Sequence, residues 1–254
     1  MKKLFAITAL SAALFFGQTA AAEEKAAEEV KPSHVEMVLV LDESGSMSNL
    51  TNDTIGGFNS MIEKEKKLDV DAHVTTVLFN DQYKMLYNRR ELKDVRKMTD
   101  KDYTPGGMTA LLDAVGRTIH KMDMVSGIHR KDKGNKVLFV IITDGEENDS
   151  REYTYADVKK LIKDRQENAG WEFIFLGANI DAAAAAENLG IDRDRAVKYK
   201  NTGSGVRANF KAVAELSDSL AKSGRVSDEW KETVEKDEDD AADKQSAAVT
   251  LHRR

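Results

Sequence analysis

The chain has 254 residues and no cysteine, which excludes disulfides, zinc–thiolate sites and thiol nucleophiles. Its formal charge is −6, from 38 basic and 44 acidic residues. This acidic balance argues against nucleic acid and anionic membrane surfaces as partners. Beyond the amino terminus, no apolar run approaches the roughly 20 residues that a membrane span needs. We therefore expect that the chain after its amino-terminal segment does not insert stably into a membrane.

Residues 1–22 have the organisation of a signal peptide. Lys2 and Lys3 form a positive start, residues 4–16 are mostly apolar, and three alanines ending at Ala22 offer a small-residue cleavage site. We predict export, to the periplasm or out of the cell, with cleavage after Ala22. Removal of the two lysines would leave 36 basic and 44 acidic residues, a charge of −8. Residues 23–33 then form a charged, alanine-rich spacer.

From Val35 onward, strand-like apolar runs alternate with helical apolar patterns. The predicted strands are residues 35–41, 74–79, 83–89, 136–143, 171–176 and 197–199, the third pairing with the second as a hairpin. A short alanine-rich helix is predicted over 181–189, and a capping box is predicted at 154–157. The other helices have apolar faces formed by Ile55, Phe58, Met61 and Ile62; Leu112, Val115, Ile119 and Met122; Tyr155, Val158, Leu161 and Ile162; and Val206, Phe210, Val213, Leu216 and Leu220.

This alternation predicts one α/β domain over residues 34–224. Strands that alternate with helices form a mostly parallel, doubly wound sheet flanked by helices, and the hairpin adds one antiparallel edge strand. After Gly224 the apolar periodicity is lost and an acidic run follows. We therefore predict that residues 225–254 form an acidic, flexible tail, with at most a frayed helix around Trp230.

The stretch VLVLDESGSM, residues 38–47, is the most informative part of the chain. A buried-strand run ends in one carboxylate and two hydroxyls at alternate positions, namely Asp42, Ser44 and Ser46. Gly45 permits the tight bend between them. All three side chains offer oxygen, the donor that hard divalent cations prefer.

Two later segments add further oxygen donors. Thr109 stands just before the second helix, in TPGGMTAL (104–111), and Asp144 directly follows the strand at 136–143. Ligands of open α/β sheets bind at the carboxyl ends of strands, so Asp42 and Asp144 can be neighbours in space. Each segment alone is an ordinary turn, but together they occur in order at predicted strand ends or helix starts.

The pattern D-x-S-x-S, then a lone Thr, then a lone Asp, resembles the metal-ion-dependent adhesion site of von Willebrand factor type A (VWA) domains. The resemblance spans the predicted α/β domain and implies the Rossmann-like VWA fold, in the exported bacterial branch of the family. It also implies a site for Mg²⁺, with Ca²⁺ and Mn²⁺ as alternatives. Ser44, Ser46 and Thr109 would bind the metal directly, while Asp42 and Asp144 would act partly through hydrogen bonds.

A shell with few carboxylates leaves a divalent ion electrophilic, so an acidic side chain of another molecule can complete it. We therefore predict a metal-dependent, adhesion-type protein-binding module, not an enzyme, whose protein partner offers an Asp or Glu carboxylate. One alternative is a metal-dependent hydrolase, in which Asp144 or Asp42 activates a metal-bound water. Another is a scaffold whose metal only orders the loops. If Glu43, Glu146 and Glu147 line the rim, they would weaken capture of an acidic ligand.

Other motifs point less clearly to chemistry. The chain contains no phosphate-cradling Gly-x-x-x-x-Gly-Lys loop and no Gly-x-Ser-x-Gly nucleophile elbow. Tyr153 and Tyr155 could border the site after Asp144, although core and cap roles are favoured. The five histidines show no ligand pair at helical or strand spacing, and we expect a satisfied or surface role for each of them: His34, His73, His120, His129 and His252.

Overall fold

The computed structural model describes residues 34–68, 70–125 and 135–236. The predicted signal peptide and the whole predicted spacer lie outside these residues, as do His129, His252 and the last part of the predicted tail. Within the described chain, the six predicted strands and the five predicted α-helices follow one another in the predicted order, with ends shifted by a few residues. The strands are β1 His34–Asp42, β2 Ala72–Phe79, β3 Tyr83–Glu91, β4 Asn135–Thr143, β5 Glu172–Gly177 and β6 Ala196–Lys198. The helices are α1 Thr51–Lys67, α2 Leu111–Asp123, α3 Tyr155–Asp164, α4 Ala182–Leu189 and α5 Gly203–Ser223.

The six strands form a single sheet in the order β3-β2-β1-β4-β5-β6. The β2–β3 pair is antiparallel and every other pair is parallel, which confirms the predicted α/β fold with one antiparallel edge strand. The strand order reverses between β1 and β4, and such a reversal opens a crevice at the carboxyl ends of the two strands. Because Leu41 pairs with Ile142, Asp42 and Asp144 emerge at this crevice.

The sheet separates two hydrophobic cores. Successive strand residues point to opposite faces, so Met37 and Leu39 of β1 belong to one core, while Val38 and Val40 belong to the other. Helices α1 and α5 cover the first face, and α2, α3 and α4 cover the second. Burial on both faces explains why β1 and β4 are almost uninterrupted apolar runs.

The packed chain continues beyond the expected boundary at residue 224. Val226, Trp230 and Val234 are buried and belong to the core beneath α1 and α5, and residues 230–236 are helical. The prediction of a flexible tail therefore does not hold for residues 225–236. Trp230 and Val234 lie four positions apart on one helical face, and Val226 joins the same core from the segment before that helix. The surrounding charged residues concealed this pattern in the sequence.

Helix α3 has the predicted capping box, with Thr154 and Asp157 each accepting a hydrogen bond from the other's backbone N–H. The prediction that Tyr155 belongs to its buried face was wrong, because this side chain is 43% exposed. Tyr155 is the first residue of the helix and lies outside the face that Val158 and Ile162 bury against the sheet.

A buried carboxylate lies between α1 and α5. Oε2 of Glu65 accepts a hydrogen bond from Ser217 Oγ at 2.7 Å, while Oε1 has no partner within the described residues. Burial raises the pKa of Glu65 to about 7, and the bond from Ser217 only partly opposes this effect. Glu65 is therefore a group that the folded protein holds more readily as the neutral acid.

We expect Glu65 to make the protein more stable as the pH falls. The pKa is higher in the folded chain than in the unfolded chain, so its contribution is fully present below about pH 4.5 and is lost as the pH rises through 7. Glu65→Gln should accordingly raise the free energy of unfolding at pH 8, by about 3 kcal/mol at most, and change it little at pH 5. Urea denaturation at the two pH values measures this, with Glu63→Gln, a partly exposed carboxylate on the same helix, as a control. A variant less stable than the parent at pH 8 would contradict the prediction.

Candidate metal centre

The loop after β1 gathers the first three candidate ligands. Oδ1 of Asp42 accepts a hydrogen bond from the backbone N–H of Ser44 at 2.7 Å, which bends the chain directly after the strand. A 3₁₀ turn begins at Gly45, and the Ser44 and Ser46 hydroxyls lie 3.0 Å apart. Asp42 and Ser44 are buried, whereas Ser46 is exposed. The two hydroxyls therefore meet at the mouth of the crevice.

Asp144 joins this group from the end of β4. Ser46 Oγ donates a hydrogen bond to Asp144 Oδ1 at 2.5 Å, across 98 positions of sequence. The other carboxylate oxygen of Asp144 accepts a hydrogen bond from Asn201 Nδ2 at 3.2 Å. The parallel pairing of β1 and β4 thus brings together two predicted site residues that are far apart in the chain.

Thr109 reaches the cluster from the loop that precedes α2. Its backbone exchanges two hydrogen bonds with Asn148, at 2.9 Å to the side chain and 3.0 Å from the backbone N–H, which ties it to the loop after Asp144. A Cβ built on Gly145 would lie 3.6 Å from Thr109 Oγ1 and 3.9 Å from Ser46 Oγ. Glycine at 145 therefore leaves open space between these hydroxyls. All five predicted residues, Asp42, Ser44, Ser46, Thr109 and Asp144, lie at this one place.

Backbone hydrogen bonds hold the loop after β1 against the loop before α2. Gly45 N–H donates to the carbonyl of Gly107 at 3.2 Å, and Gly106 N–H donates to the carbonyl of Glu43 at 2.9 Å. Gly107 has a φ of 75°, and a side chain there would collide with Asp81. Glycine adopts this φ without strain and leaves the Asp81 side chain in place, so it favours the close contact between the loops.

Supporting residues that the sequence analysis did not identify surround Asp42 and Asp144. Thr143 Oγ1 donates to Asp42 Oδ2 at 2.6 Å, and the Tyr103 hydroxyl donates to the carbonyl of Asp42, also at 2.6 Å. Thr143 could have been predicted from the sequence, because it is a hydroxyl residue directly before Asp144 at the end of a strand. Tyr103 and Asn201 come from separate segments, and no local pattern marks them.

The cluster concentrates negative charge in a buried place. Asp42 and Asp144 are 1% and 2% exposed, and within the described residues neither forms an ion pair. Burial raises the pKa of Asp42, and the nearby charge of Asp144 raises it further, although hydrogen bonds from Ser44 and Thr143 oppose both effects. Buried carboxylates without a cation are costly, and a bound positive ion would offset this cost.

The donor set fits a hard divalent cation. Octahedral Mg²⁺ holds oxygens at 2.0–2.1 Å, so adjacent ligands lie about 2.9 Å apart. Ser44 Oγ and Ser46 Oγ are hydrogen-bonded to each other at 3.0 Å, so they are already close enough for one ion to contact both. Carboxylates and hydroxyls are also the donors that Mg²⁺, Ca²⁺ and Mn²⁺ prefer, whereas sulfur and imidazole ligands are absent from the five residues.

Two of the three neighbouring acids have structural roles and do not line the rim. Glu43 is buried, accepts a hydrogen bond from the Thr104 backbone and lies 3.6 Å from Lys84 Nζ. Glu147 accepts from Leu112 N–H at 3.0 Å, where it caps the start of α2. Glu146 alone of the three is exposed.

Tyr153 packs against the core, as the sequence analysis favoured. Its ring lies on Gly116 of α2, and its hydroxyl is hydrogen-bonded to His120 Nδ1 at 2.8 Å.

A doubly wound sheet with an oxygen-rich cluster at the reversal between β1 and β4 defines a VWA-type domain. The family model for VWA domains found at the carboxyl terminus of TerF matches residues 34–191, and the chain belongs to this vWA-TerF-like family. No curated protein sequence matches the chain.

Several solved structures share the fold. The vWF domain of the type V pili tip protein Mfa5 from Porphyromonas gingivalis is 12% identical, with a TM-score of 0.53 over 78% of this chain and 99% of that one. The pilus adhesin SpaC from Lactobacillus rhamnosus GG is 15% identical, with a TM-score of 0.55 over 74% and 31%. The PilB minor pilin from Streptococcus sanguinis is 11% identical, with a TM-score of 0.53 over 73% and 61%. The chain thus spans about a third of the adhesin and less than two thirds of the minor pilin. Within the described residues, no helix has the length and apolar character to cross a membrane.

Proposed function

We propose that this chain is a non-enzymatic, metal-dependent binding module that captures an acidic side chain of a partner protein through a divalent cation. Mg²⁺ is the leading candidate, with Ca²⁺ and Mn²⁺ as alternatives. The observation that carries the proposal is the convergence of Asp42, Asp144 and three hydroxyls at one crevice, where the buried carboxylates have no ion-pair partner among the described residues.

Each residue has a distinct part in this proposal. Ser44, Ser46 and Thr109 supply neutral oxygens, and Asp144 orients Ser46 through the hydrogen bond of 2.5 Å. A divalent ion bound there would offer an electrophilic position that a carboxylate oxygen from another molecule can fill. Both oxygens of Asp42 already accept hydrogen bonds, from Ser44 N–H and Thr143 Oγ1. Asp42 is therefore placed to orient the loop, which favours ligand capture over hydrolysis.

A pull-down from the cell envelope, with and without chelator, tests this function. We expect Asp144→Ala to lose the partner in the presence of Mg²⁺, because the variant removes the group that orients Ser46. Its fold should persist, since Asp144 follows a strand and its loss opens no apolar cavity. Circular dichroism and thermal melting in chelator check the fold.

Glu146→Ala is the matched control for the charge change. It also removes one negative charge beside the crevice, but Glu146 is exposed and lies outside the cluster. Capture of an acidic partner should be retained or strengthened in this variant. Equal capture with and without chelator would contradict the proposal. Turnover of an ester or phosphate substrate that Asp144→Ala abolishes would favour the hydrolase, and Mg²⁺ binding without any effect on a partner would favour the scaffold.

The proposed function includes export, to the periplasm or out of the cell. The signal-peptide pattern supports this location, and several proteins with the same fold are named as pilus proteins. We expect mass spectrometry of the envelope or secreted fraction to find a chain that begins at Glu23. An intact chain beginning with Met1 in the cytosol would show that the location is wrong.

A further inference from the structure

A second cluster of potential metal ligands lies at the amino ends of β1 and β2, at the opposite end of these strands from Asp42. His34 is the first residue of β1, and Asp42 is the last of its nine residues, so the two are about 26 Å apart along the strand. Glu36 of β1 pairs in register with His73 of β2. The strand pairing therefore joins two histidines and a glutamate that show no ligand spacing in the sequence.

The three side chains converge on one point. His34 Nε2 lies 2.8 Å from His73 Nδ1, and each of these nitrogens lies 3.3 Å from Glu36 Oε1. One ligand atom from each residue fits within 4.8 Å of the others. A small adjustment of the two rings would place all three atoms around an ion at the 2.0–2.2 Å distances of zinc sites.

Neighbouring groups orient these candidate ligands. His34 Nδ1 lies 3.0 Å from Asp71 Oδ1, an arrangement in which Nδ1–H donates to the carboxylate and Nε2 directs its lone pair toward the cluster. Metal-binding histidines usually have a hydrogen-bond acceptor of this kind on the other ring nitrogen. Asp71 thus favours the orientation and protonation of His34 in which Nε2 is free to bind a metal.

Arg89 orients the glutamate. Its guanidinium donates to Glu36 from Nε at 3.0 Å and from Nη2 at 2.5 Å. Nη2 also lies 3.4 Å from His73 Nδ1, a contact that a metal ion on this nitrogen would replace. Each carboxylate oxygen has two lone pairs, so Glu36 keeps capacity for a metal. Arg89 has a φ of 45° where the β2–β3 register shifts, and its backbone N–H donates to Thr75 Oγ1 at 3.1 Å. Bulges of this kind redirect side chains, and here the bulge accompanies a guanidinium that faces Glu36.

Ions can reach the cluster from solvent. A cleft of about 480 Å³ borders His34, Asp71 and His73. Glu36 beneath them is only 2% exposed, while both histidines are partly exposed. The cluster therefore has an enclosed carboxylate and an open side where water or another molecule can complete the coordination.

We propose that His34, Glu36 and His73 form a second metal site that binds a first-row transition-metal ion, foremost Zn²⁺. Two imidazoles and one carboxylate suit zinc with one position left open, whereas Mg²⁺ prefers oxygen ligands alone. The two sites should therefore select different metals. The two sites lie at opposite ends of β1 and share no residue. This proposal therefore does not depend on the function of the cluster around Asp42.

Titration of the purified protein with Zn²⁺, in excess Mg²⁺, tests the second site. We expect one zinc site that His34→Ala and His73→Ala each weaken at least a hundredfold, and that Asp71→Asn weakens about 10–100-fold. Co²⁺ should bind at the same place, with a visible spectrum that changes in the histidine variants. His120→Ala is the control for loss of a histidine, and the double variant Ser44→Ala with Ser46→Ala is the control for the other site. Both should keep the zinc affinity of the parent.

Circular dichroism establishes that each variant is folded, and His73→Gln replaces His73→Ala if the alanine variant is not. Zinc should also raise the melting temperature of the parent, but not that of the histidine variants, because it joins β1 to β2. Zinc affinity that is unchanged in folded His34→Ala and His73→Ala would overturn the assignment. Absence of zinc binding by the parent protein at micromolar concentrations would also overturn it, and would leave the cluster as a hydrogen-bonded network.

Discussion

Replacing Ser44 and Ser46 together with alanine should abolish Mg²⁺ binding while the fold remains intact. The double variant removes two neighbouring oxygens that lie 3.0 Å apart and also breaks the hydrogen bond to Asp144. Loss of a single group that only orients a ligand costs about 10–100-fold in metal affinity, so loss of two direct ligands should exceed a hundredfold. Isothermal titration should show one Mg²⁺ site in the parent protein and none in the variant.

Ser48→Ala is the matched control for this experiment. Ser48 lies in the same 3₁₀ turn, but its hydroxyl is exposed and donates to the carbonyl of Gly45 at 2.7 Å. This variant should bind Mg²⁺ like the parent. Unchanged Mg²⁺ binding in the Ser44 and Ser46 double variant would show that the metal assignment is wrong.

The same site makes a quantitative prediction about the partner. Truncating one member of a desolvated charge pair costs about 2–5 kcal/mol, whereas an exposed pair is worth about 1 kcal/mol or less. Chelation should therefore nearly abolish partner binding, while raised salt at constant Mg²⁺ should weaken it only moderately. Changing the partner's acids one at a time to amides should reveal a single dominant residue. Equal contributions from every acid would place the interaction on another face.

Trp230→Ala should destabilise the domain by about 3–5 kcal/mol, the usual cost of truncating a large buried aromatic side chain. Trp230 is 1% exposed and packs in the core beneath α1 and α5. Urea denaturation in chelator measures the effect without any contribution from bound metal. The exposed Glu235→Ala in the same helical segment is the control and should change stability by less than about 0.5 kcal/mol. A similarly small effect of Trp230→Ala would show that residues 225–236 do not contribute to the fold in solution.

The loops of the candidate metal centre are held together by the protein's own hydrogen bonds. Contacts from Gly45 to Gly107, from Thr109 to Asn148 and from Ser46 to Asp144 join the three segments that carry the motif. A site that is already ordered loses little conformational freedom when a ligand binds. In the proposed function this order would favour capture, and Gly107 and Asn148 contribute to it although neither belongs to the motif.

The sequence by itself determined the order and type of the elements, the fold class and the five residues of the candidate site. These features depend on local information. Apolar periodicity distinguishes strands from helices, and Asp42, Thr109 and Asp144 each stand at a strand end or helix start. The rule that parallel strands present their carboxyl ends at one edge then brings the motif together without coordinates.

Only the tertiary structure decided which groups support that site and where else chemistry is possible. Tyr103 and Asn201 reach Asp42 and Asp144 through contacts that no sequence spacing encodes. His34 and His73 meet because β1 and β2 pair in one particular register. Trp230 is buried because its helical segment docks on a core built from distant elements. In each case the deciding quantity is strand register, helix docking or the path of a loop, which depends on the packing of the whole chain and not on any local pattern.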